Sequence, residues 1–342
     1  MKISNLTESL ILFFGVVLAL AFGKELLLPF LIALLIYFLI RSFRRFFDRI
    51  KFIKNHVPAW LKNSIAALII FLIIGLLIDV LIINSQNLGS SFANYVPKID
   101  KILEQLKELI GETLTQKLGE ALKSIDISSL VRPIIDSLTG ILGNFTMVPF
   151  YLLFLFLEEM AFKNKLLLLF SKPEELKETK ILLRNIENSI THYIGLKTFV
   201  SFLTSIISFL AFSYLGLDSP VLWAFLVFIL NFIPIIGSLV GVLLPSLFAM
   251  IQFGEINAPI VLLVFLSVIQ LLIDNILEPK IMGGSLNISP LVALFSLSFW
   301  GAIWGVIGML LSVPITVILI ILLAHFPRTK KIAILLSNNG KV

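Results

Sequence analysis

Four polar residues interrupt the apolar C-terminal half of the chain, where they could bind an ion or a polar solute. Asp274 ends a long apolar run and Asn275 follows it, whereas Asn231 and Gln270 lie within apolar runs. An ionisable group in hydrocarbon is costly, so it is by default a candidate for binding an ion, a proton or a polar substrate. Carboxamides offer an acceptor to a cation and a donor to a solute. We therefore predict a substrate or ion site that contains all four residues.

Each of these residues also has a structural explanation. Asp274 could lie at a membrane interface and cap the turn that the following proline and glycine require. The two carboxamides within apolar runs could bond neighbouring helices, a contact worth about 0.6 kcal/mol on average. Glu278 and Lys280 lie nearer water and are interpreted as interfacial residues.

Enzyme chemistry finds little support in the residue types present. The chain contains no cysteine, which excludes thiolate metal sites and cysteine nucleophiles. Its three histidines are scattered, and neither a zinc-binding His-Glu-x-x-His pattern nor a Walker A loop occurs. We predict that the protein is not an enzyme, holds no metal site and uses no cofactor, with H⁺ or Na⁺ as a possible coupling ion.

The elements that must position these residues are membrane helices. Of 342 residues, 58% are hydrophobic and 14% are charged, a balance outside the usual range of soluble domains. Several apolar runs reach the roughly 20 residues that a helix needs to cross a bilayer. They lack the alternation of barrel strands. The fold class is therefore predicted to be an all-α polytopic membrane protein surrounded by lipid.

The distribution of positive charge predicts the orientation. Seven Lys and Arg residues lie between Arg41 and Lys62, seven more lie in 158–197, and Arg328, Lys330 and Lys331 follow the last apolar run. The positive-inside rule places all three stretches in the cytoplasm. We therefore predict a multi-pass protein of the cytoplasmic membrane with both termini in the cytoplasm. Membrane topology explains the net charge of +6, so no nucleic-acid partner is expected.

Two apolar runs, 221–253 and 291–323, are too long for straight spans. As single helices they would each measure about 50 Å, and each is broken near its middle by glycine or proline. Paired broken segments indicate a transport site near the bilayer midplane. We predict that both runs are hairpins that re-enter on the side they left, and two full crossings per run would give the same parity. The predicted hinge and broken-helix positions are Pro234, Gly237, Gly241, Pro245, Pro279, Gly283, Pro290, Gly301, Gly305, Gly308 and Pro314.

The predicted organisation comprises about six full spans plus two hairpins, roughly eight transmembrane segments, with a small amphipathic helical domain outside the bilayer. Whether the short runs 10–23 and 26–40 form tilted helices or a tight hairpin is open. The predicted divisions are 1–83, an N-terminal membrane scaffold; 84–139, the extracytoplasmic domain; 140–197, a span and cytoplasmic linker; 198–323, a transport unit; and 324–342, a cytoplasmic tail.

The chain resembles the autoinducer-2 exporter superfamily, the PerM-like permeases. The resemblance rests on the order and spacing of three motifs. These are the run from Asn231 to Gly237 with Gly241 and Pro245; Asp274-Asn275-x-Leu277-x-Pro279-x-x-x-Gly283 followed by Pro290; and Gly305-x-x-Gly308 with Pro314. It departs at Ser238, where relatives often have proline.

The resemblance implies a gradient-driven transporter that forms homo-oligomers, pentamers by family likeness, and moves its transport unit in an elevator-like way. Export of a small polar molecule such as a quorum signal is the first hypothesis. Na⁺ or Li⁺ exchange for protons is the alternative within the same class. A membrane scaffold that recruits a partner through 84–139, and a passive channel, are alternatives of other classes.

Overall fold

The computed structural model describes residues 5–48, 55–91, 95–111, 147–170, 172–282 and 287–340. Within these ranges the regular secondary structure is entirely helical. Among the described residues, six helices are long and apolar enough to cross a membrane. Two shorter apolar helices cover Leu10–Phe22 and Pro220–Leu230. The prediction of an all-α polytopic membrane protein is confirmed, whereas the number of full crossings and the re-entrant topology stay predictions.

The first half of the described chain contains six helices. They are α1 (Asn5–Phe22), α2 (Lys24–Phe47), α3 (Ala59–Ser91), α4 (Val96–Ile110), α5 (Met147–Leu169) and α6 (Pro173–Leu215). Helical hydrogen bonding continues across the turn at Gly23, whose N–H donates to the Ala19 carbonyl and whose carbonyl accepts from Leu27 N–H. The two short apolar runs therefore join through a single-residue interruption.

The charged stretch 158–197 is helical along almost all of its described length. α5 continues past Glu158 and Glu159 to Leu169, and α6 runs without a break from Pro173 into the apolar run that begins at 198. Glutamate and lysine are good helix formers, so a change from apolar to charged residues does not by itself end a helix. The predicted cytoplasmic linker thus contains the N-terminal half of a long helix.

The second half of the described chain is a series of shorter and broken helices. They are α7 (Pro220–Leu230), α8 (Ile236–Phe253), α9 (Asn257–Leu272), a π-helical segment (Ile273–Leu277), α10 (Glu278–Met282), α11 (Pro290–His325) and α12 (Lys330–Leu336). α11 is interrupted at Gly305, whose φ of 64° and ψ of −144° are not helical.

The chain divides into two compact units. The first contains Met1–Ala66, Ser137–Gly195 and Gly284–Val342, and the second contains Ala67–Asp136 and Leu196–Gly283. The domain boundaries predicted from the sequence stay predictions.

In the first unit, α2 packs against α5 through aromatic and charged side chains. The Tyr37 and Phe156 rings lie 5.0 Å apart between centroids. One turn further along α2, Arg41 pairs with Glu159 at 2.7 Å and with Glu187 of α6 at 2.7 Å. A guanidinium can serve two carboxylates at once because its N–H groups point in different directions. Arg41 thereby joins three helices of this unit.

In the second unit, α4 packs on α8. The Tyr95 ring lies edge-on to Phe248, and Lys98 Nζ donates to the Gln252 carbonyl at 2.6 Å. Ile102, on the same helix, is fully buried. The described part of the predicted amphipathic domain therefore contains a helix that packs on α8, and residues 92–94 and 112–139 of that domain lie outside the described residues.

Candidate functional site

The first broken run is a helical hairpin in the second unit. α7 ends at Leu230, residues 231–235 form turns, and α8 begins at Ile236. Ile235 has a φ of 65°, a conformation that a β-branched residue rarely adopts. A Cβ added to Gly237 would lie 1.7 Å from the Leu230 carbonyl oxygen, so only glycine allows the two arms to approach this closely.

Asn231 is the first residue of the hairpin loop, and its side chain forms hydrogen bonds with two neighbouring helices. Its side chain is 4% exposed, and Nδ2 donates to Ser201 Oγ on α6 at 3.2 Å. Gln270 Nε2, on α9, donates to Asn231 Oδ1 at 3.0 Å. The same nitrogen lies 3.2 Å from Asp274 Oδ1, so one carboxamide bonds both the loop and the carboxylate. Three of the four predicted site residues therefore form one hydrogen-bonded group.

Asp274 lies in the π-helical segment Ile273–Leu277, which interrupts the apolar span between α9 and α10. A π-helical turn adds a residue to the helical repeat and redirects the side chains that follow, and such turns are frequent at functional sites. The Asp274 side chain is half-buried. Ser238, which follows Gly237, is close to its carboxylate, and the Ser238 hydroxyl donates to the Ile235 carbonyl at 3.0 Å.

A buried ion pair lies next to this group. Lys197 Nζ, on α6, is 2.8 Å from both carboxylate oxygens of Glu278. The exposed fractions of the two side chains are 7% and 20%. Glu278 lies four residues after Asp274, and Lys197 lies four residues before Ser201 on α6. The three charged side chains together carry one net negative charge when both carboxylates are ionised.

Asn275 does not join its neighbours. Its side chain is exposed, and Nδ2 donates to the Leu271 carbonyl of the preceding turn at 3.0 Å. Adjacent residues on a helix point about 100° apart, so Asn275 and Asp274 face different surroundings. The sequence prediction grouped these two residues, and the structure separates them.

Two further predicted hinge residues of the first hairpin lie in its second arm. Gly241 faces Val227 of the opposite arm, and a Cβ added there would lie 3.7 Å from Val227 Cγ2, an ordinary contact. Pro245 is buried inside α8, and Pro234 lies in the loop. The close approach of the arms therefore requires glycine at position 237, whereas position 241 has room for a Cβ.

The predicted positions between the two hairpins have different surroundings. Pro279 is exposed within α10, and Pro290 is the first residue of α11, where a proline costs no hydrogen bond. Gly283 lies outside the described residues.

The second broken run, in the first unit, also folds back on itself. Gly305 supplies the non-helical conformation at the break, and a Cβ on Gly308 would lie 1.9 Å from the Trp300 carbonyl oxygen. A Cβ on Gly301 would lie 3.0 Å from Met309 Cε, a flexible side-chain end. Pro314 is buried inside the second arm. Both hairpins thus place a glycine against a backbone carbonyl of the opposite arm.

The second hairpin has its own polar contacts between the arms. Ser296 Oγ donates to the Ser312 carbonyl at 3.1 Å and is also bonded to the Thr316 hydroxyl. In the first arm the Trp304 indole N–H donates to the Leu20 carbonyl at 3.0 Å. These bonds satisfy polar atoms at a broken helix, and all the side chains that take part in them are neutral.

Sequence reasoning missed Lys197 and Ser201. Lys197 is the only Asp, Glu, Lys or Arg between Glu187 and Asp218, and Ser201, Thr204 and Ser208 follow it at helical spacing. All four side chains are buried. A polar stripe on one face of an otherwise apolar helix was the available signal, but the lysine stood at the predicted edge of the linker and was interpreted as a topology determinant.

The chemistry available at this group is that of oxygen ligands. Carboxylate, carboxamide and hydroxyl oxygens suit hard cations such as Na⁺ or Li⁺, and the carboxylate can bind a proton instead. Within the described residues, no three His, Asp or Glu side chains lie together as a metal site would require. The residues that could hold a monovalent cation are Asp274, Asn231 and Ser201, with Ser238 beside them.

Comparison with known proteins identifies the family. The family model "AI-2E family transporter" matches residues 9–328. A "Putative transport protein" of Borreliella burgdorferi is 37% identical over 227 residues, 65% of this chain and 62% of that protein. The AI-2 transport protein TqsA of Escherichia coli is 30% identical over 293 residues, 84% of each chain.

A relative with a different named activity also matches. The sodium-lithium/proton antiporter of Halobacillus andaensis is 28% identical over 244 residues, 70% of this chain and 66% of that protein. The family match extends over nearly the whole chain, including both hairpins and the apolar span that contains Asp274. The chain is therefore a membrane protein of the AI-2E transporter family.

Proposed function

We propose that this protein is a gradient-driven secondary transporter whose coupling ion binds at Asp274. The observation that supports this proposal is the half-buried Asp274 carboxylate inside an apolar span, hydrogen-bonded to Gln270 and thereby linked to Asn231 in a hairpin loop. A carboxylate at this depth is costly unless it has a partner, and a transported cation or proton is such a partner.

The charge of the group favours a monovalent cation. Asp274, Glu278 and Lys197 together carry one negative charge when all three are ionised, and the neighbouring side chains Asn231, Gln270 and Ser201 are neutral. Binding of one H⁺, Na⁺ or Li⁺ brings the net charge to zero, which lowers the cost of moving the site through hydrocarbon. A neutral loaded site therefore crosses hydrocarbon at lower cost than a charged empty site.

The hairpins are the proposed moving parts. α7 contains 11 residues and would measure about 16 Å, well short of the roughly 30 Å of bilayer hydrocarbon. Re-entry of both hairpins is part of this proposal and rests on the lengths and breaks of the two apolar runs. A transport unit of residues 198–323 that moves against a scaffold of residues 1–157 with the linker is a further part. This movement and a pentameric assembly rest on the family resemblance.

Export of a small polar molecule driven by a cation or proton gradient is the first candidate activity. The similarity to TqsA, which is named for AI-2 transport, supports this candidate. Sodium or lithium exchange for protons is the second candidate. The oxygen-rich, net negative group and the similarity to the antiporter of Halobacillus andaensis favour it. Both activities use the same carboxylate.

The test is flux in proteoliposomes that contain the purified protein and a pH-sensitive dye. Sodium, lithium or potassium is added outside, and wild type is compared with Asp274→Asn. Asp79→Asn is a matched control, because Asp79 is an exposed acidic residue of α3. Antiport predicts cation-dependent proton movement that Asp274→Asn abolishes and Asp79→Asn retains.

The remaining outcomes separate the alternatives. No proton movement in any variant, together with saturable uptake of a labelled polar signal, would favour export. Flux that neither saturates nor shows competition would contradict a carrier and favour a channel. Antiport that persists in Asp274→Asn would remove Asp274 as the coupling residue.

A further inference from the structure

We propose that the Lys197–Glu278 ion pair sets the cation affinity of the Asp274 site. In this arrangement the Glu278 carboxylate pairs with the Lys197 ammonium. The positive charge of that ammonium would otherwise neutralise the negative charge of Asp274. The inference rests on the proposed function, because it concerns the same carboxylate. It goes further in assigning a role to two residues outside the hydrogen-bonded group.

The geometry of the pair carries the first step. Lys197 Nζ is 2.8 Å from both Glu278 oxygens, and the lysine side chain is only 7% exposed. A buried ammonium that bonds a carboxylate through both oxygens is committed to that carboxylate. Asp274, four residues earlier, receives a hydrogen bond from the neutral Gln270 instead.

The position of the lysine carries the second step. Glu278 lies four residues after Asp274 and pairs with Lys197 directly, so Glu278 and not Asp274 balances the charge of this ammonium. If Glu278 were neutral, the lysine would have a single carboxylate to pair with, and the site would hold no net charge. If Lys197 were neutral, the site would carry two negative charges.

The third step is the direction of each effect. A cation binds more tightly to a site with more negative charge, and a single charge a few ångströms away is worth a tenfold change or less when water screens it. Loss of Glu278 should therefore weaken cation binding, and loss of Lys197 should strengthen it. Loss of both restores one net negative charge and should return the affinity towards that of wild type.

A purely structural ion pair makes a different prediction. Removing either partner of a buried pair leaves an unpaired charge and destabilises the fold. Both single variants would then lose stability and binding together, and neither would bind a cation more tightly. The sign of the Lys197 effect therefore separates the two explanations.

The experiment measures sodium binding to the purified full-length chain without requiring transport. The midpoint of thermal unfolding is followed as sodium chloride replaces choline chloride at constant ionic strength, because a bound cation raises that midpoint. The proteins are wild type, Glu278→Gln, Lys197→Gln and the double variant, with Asp274→Asn as the blank. Lys197→Arg is the conservative variant that keeps the charge.

We expect the half-saturating sodium concentration to rise about fivefold in Glu278→Gln and to fall about fivefold in Lys197→Gln. The double variant and Lys197→Arg should lie within about twofold of wild type. The midpoint in choline alone reports any loss of stability separately, so a weakened fold is not mistaken for weakened binding.

Three results would overturn the inference. The first is a half-saturating sodium concentration that shifts in the same direction in both single variants. The second is a double variant whose value is no closer to that of wild type than the values of the single variants. The third is a wild-type unfolding midpoint that does not respond to sodium. Flux that depends on Asp274 alongside any of these results would leave the proposed function standing. If the half-saturating sodium concentration changes as expected in the variants but the protein shows no flux in proteoliposomes, the proposed function is contradicted and the inference is retained.

Discussion

Gln270 Nε2 lies 3.0 Å from Asn231 Oδ1 and 3.2 Å from Asp274 Oδ1, so one carboxamide connects the loop of a helical hairpin to the carboxylate of an apolar span. The nitrogen carries two hydrogens, one for each acceptor. Any movement of the hairpin loop would change a hydrogen bond to the group that holds Asp274. This contact is the direct link between a candidate moving part and a candidate ion ligand.

Replacing Gln270 with leucine should uncouple the hairpin from the carboxylate. We expect cation-dependent flux to fall by about tenfold and stability to fall by about 1 kcal/mol, since two bonds worth about 0.6 kcal/mol each are lost. Flux in proteoliposomes and thermal unfolding measure the two effects. Asn275→Leu is the matched control, because this carboxamide of the same span is exposed and bonds only its own helix. Equal loss of flux in both variants would contradict the assignment.

Gly237→Ala should prevent the first hairpin from closing. The added methyl group would lie 1.7 Å from the Leu230 carbonyl oxygen, so the arms must separate, and overpacking of this kind costs about 1–3 kcal/mol or more. We expect a lower yield of folded protein and a lower unfolding temperature. Gly241→Ala, whose nearest neighbour would be at 3.7 Å, should retain both properties. An unchanged unfolding temperature in Gly237→Ala would show that the arms are further apart.

Two glycine substitutions in the second hairpin distinguish backbone strain from steric overlap. Gly305 has a φ of 64°, and an added Cβ would meet no atom within 4 Å, so Gly305→Ala should cost about 1–3 kcal/mol through backbone strain alone. Gly308→Ala should fail through contact with the Trp300 carbonyl oxygen at 1.9 Å. Thermal unfolding and hydrogen exchange of α11 would measure both, with Gly15→Ala as a control in open surroundings. If Gly305→Ala matched that control, the break would not depend on glycine.

Gln252→Leu should loosen α4 without changing the ion site. Gln252 Oε1 accepts from Asp218 N–H at 2.7 Å, and Nε2 donates to the Gly216 carbonyl at 2.8 Å. The Tyr95 hydroxyl, next to the start of α4, donates to the Asp218 carboxylate, so loosening of the turn at 216–219 also weakens the contact of α4. We expect faster hydrogen exchange in 96–110 and 216–219, with the half-saturating sodium concentration unchanged. A large change in sodium response would show that α4 takes part in ion binding.

Much of the architecture was predictable because a bilayer leaves the backbone few choices. Apolar runs must be helices in hydrocarbon, since every N–H and C=O needs a partner within the segment. Runs too long for one span and broken by glycine or proline had to bend, and the breaks lie where Gly237 and Gly305 predicted them. The positions of Asn231 and Gln270 inside apolar runs, and of Asp274 at the end of one, likewise marked them as a group.

The ends of helices in charged stretches were not predictable in the same way. α6 runs from Pro173 to Leu215 across the predicted boundary at 197. Hydropathy marks where hydrocarbon begins, but helical hydrogen bonding continues through any sequence of good helix formers. The separation of a linker from a span therefore disappears in the folded helix.

Hydropathy, charge distribution and helix breakers, all local properties, by themselves determined the class of fold, the location of both hairpins and three residues of the candidate site. Tertiary structure decided which polar side chains meet. It placed Lys197 against Glu278, 81 residues away, brought Ser201 to Asn231, and turned Asn275 away from Asp274 beside a π-helical segment. Those relationships depend on how helices pack and on an added residue in one helical turn, and neither property is encoded in the spacing of a single segment.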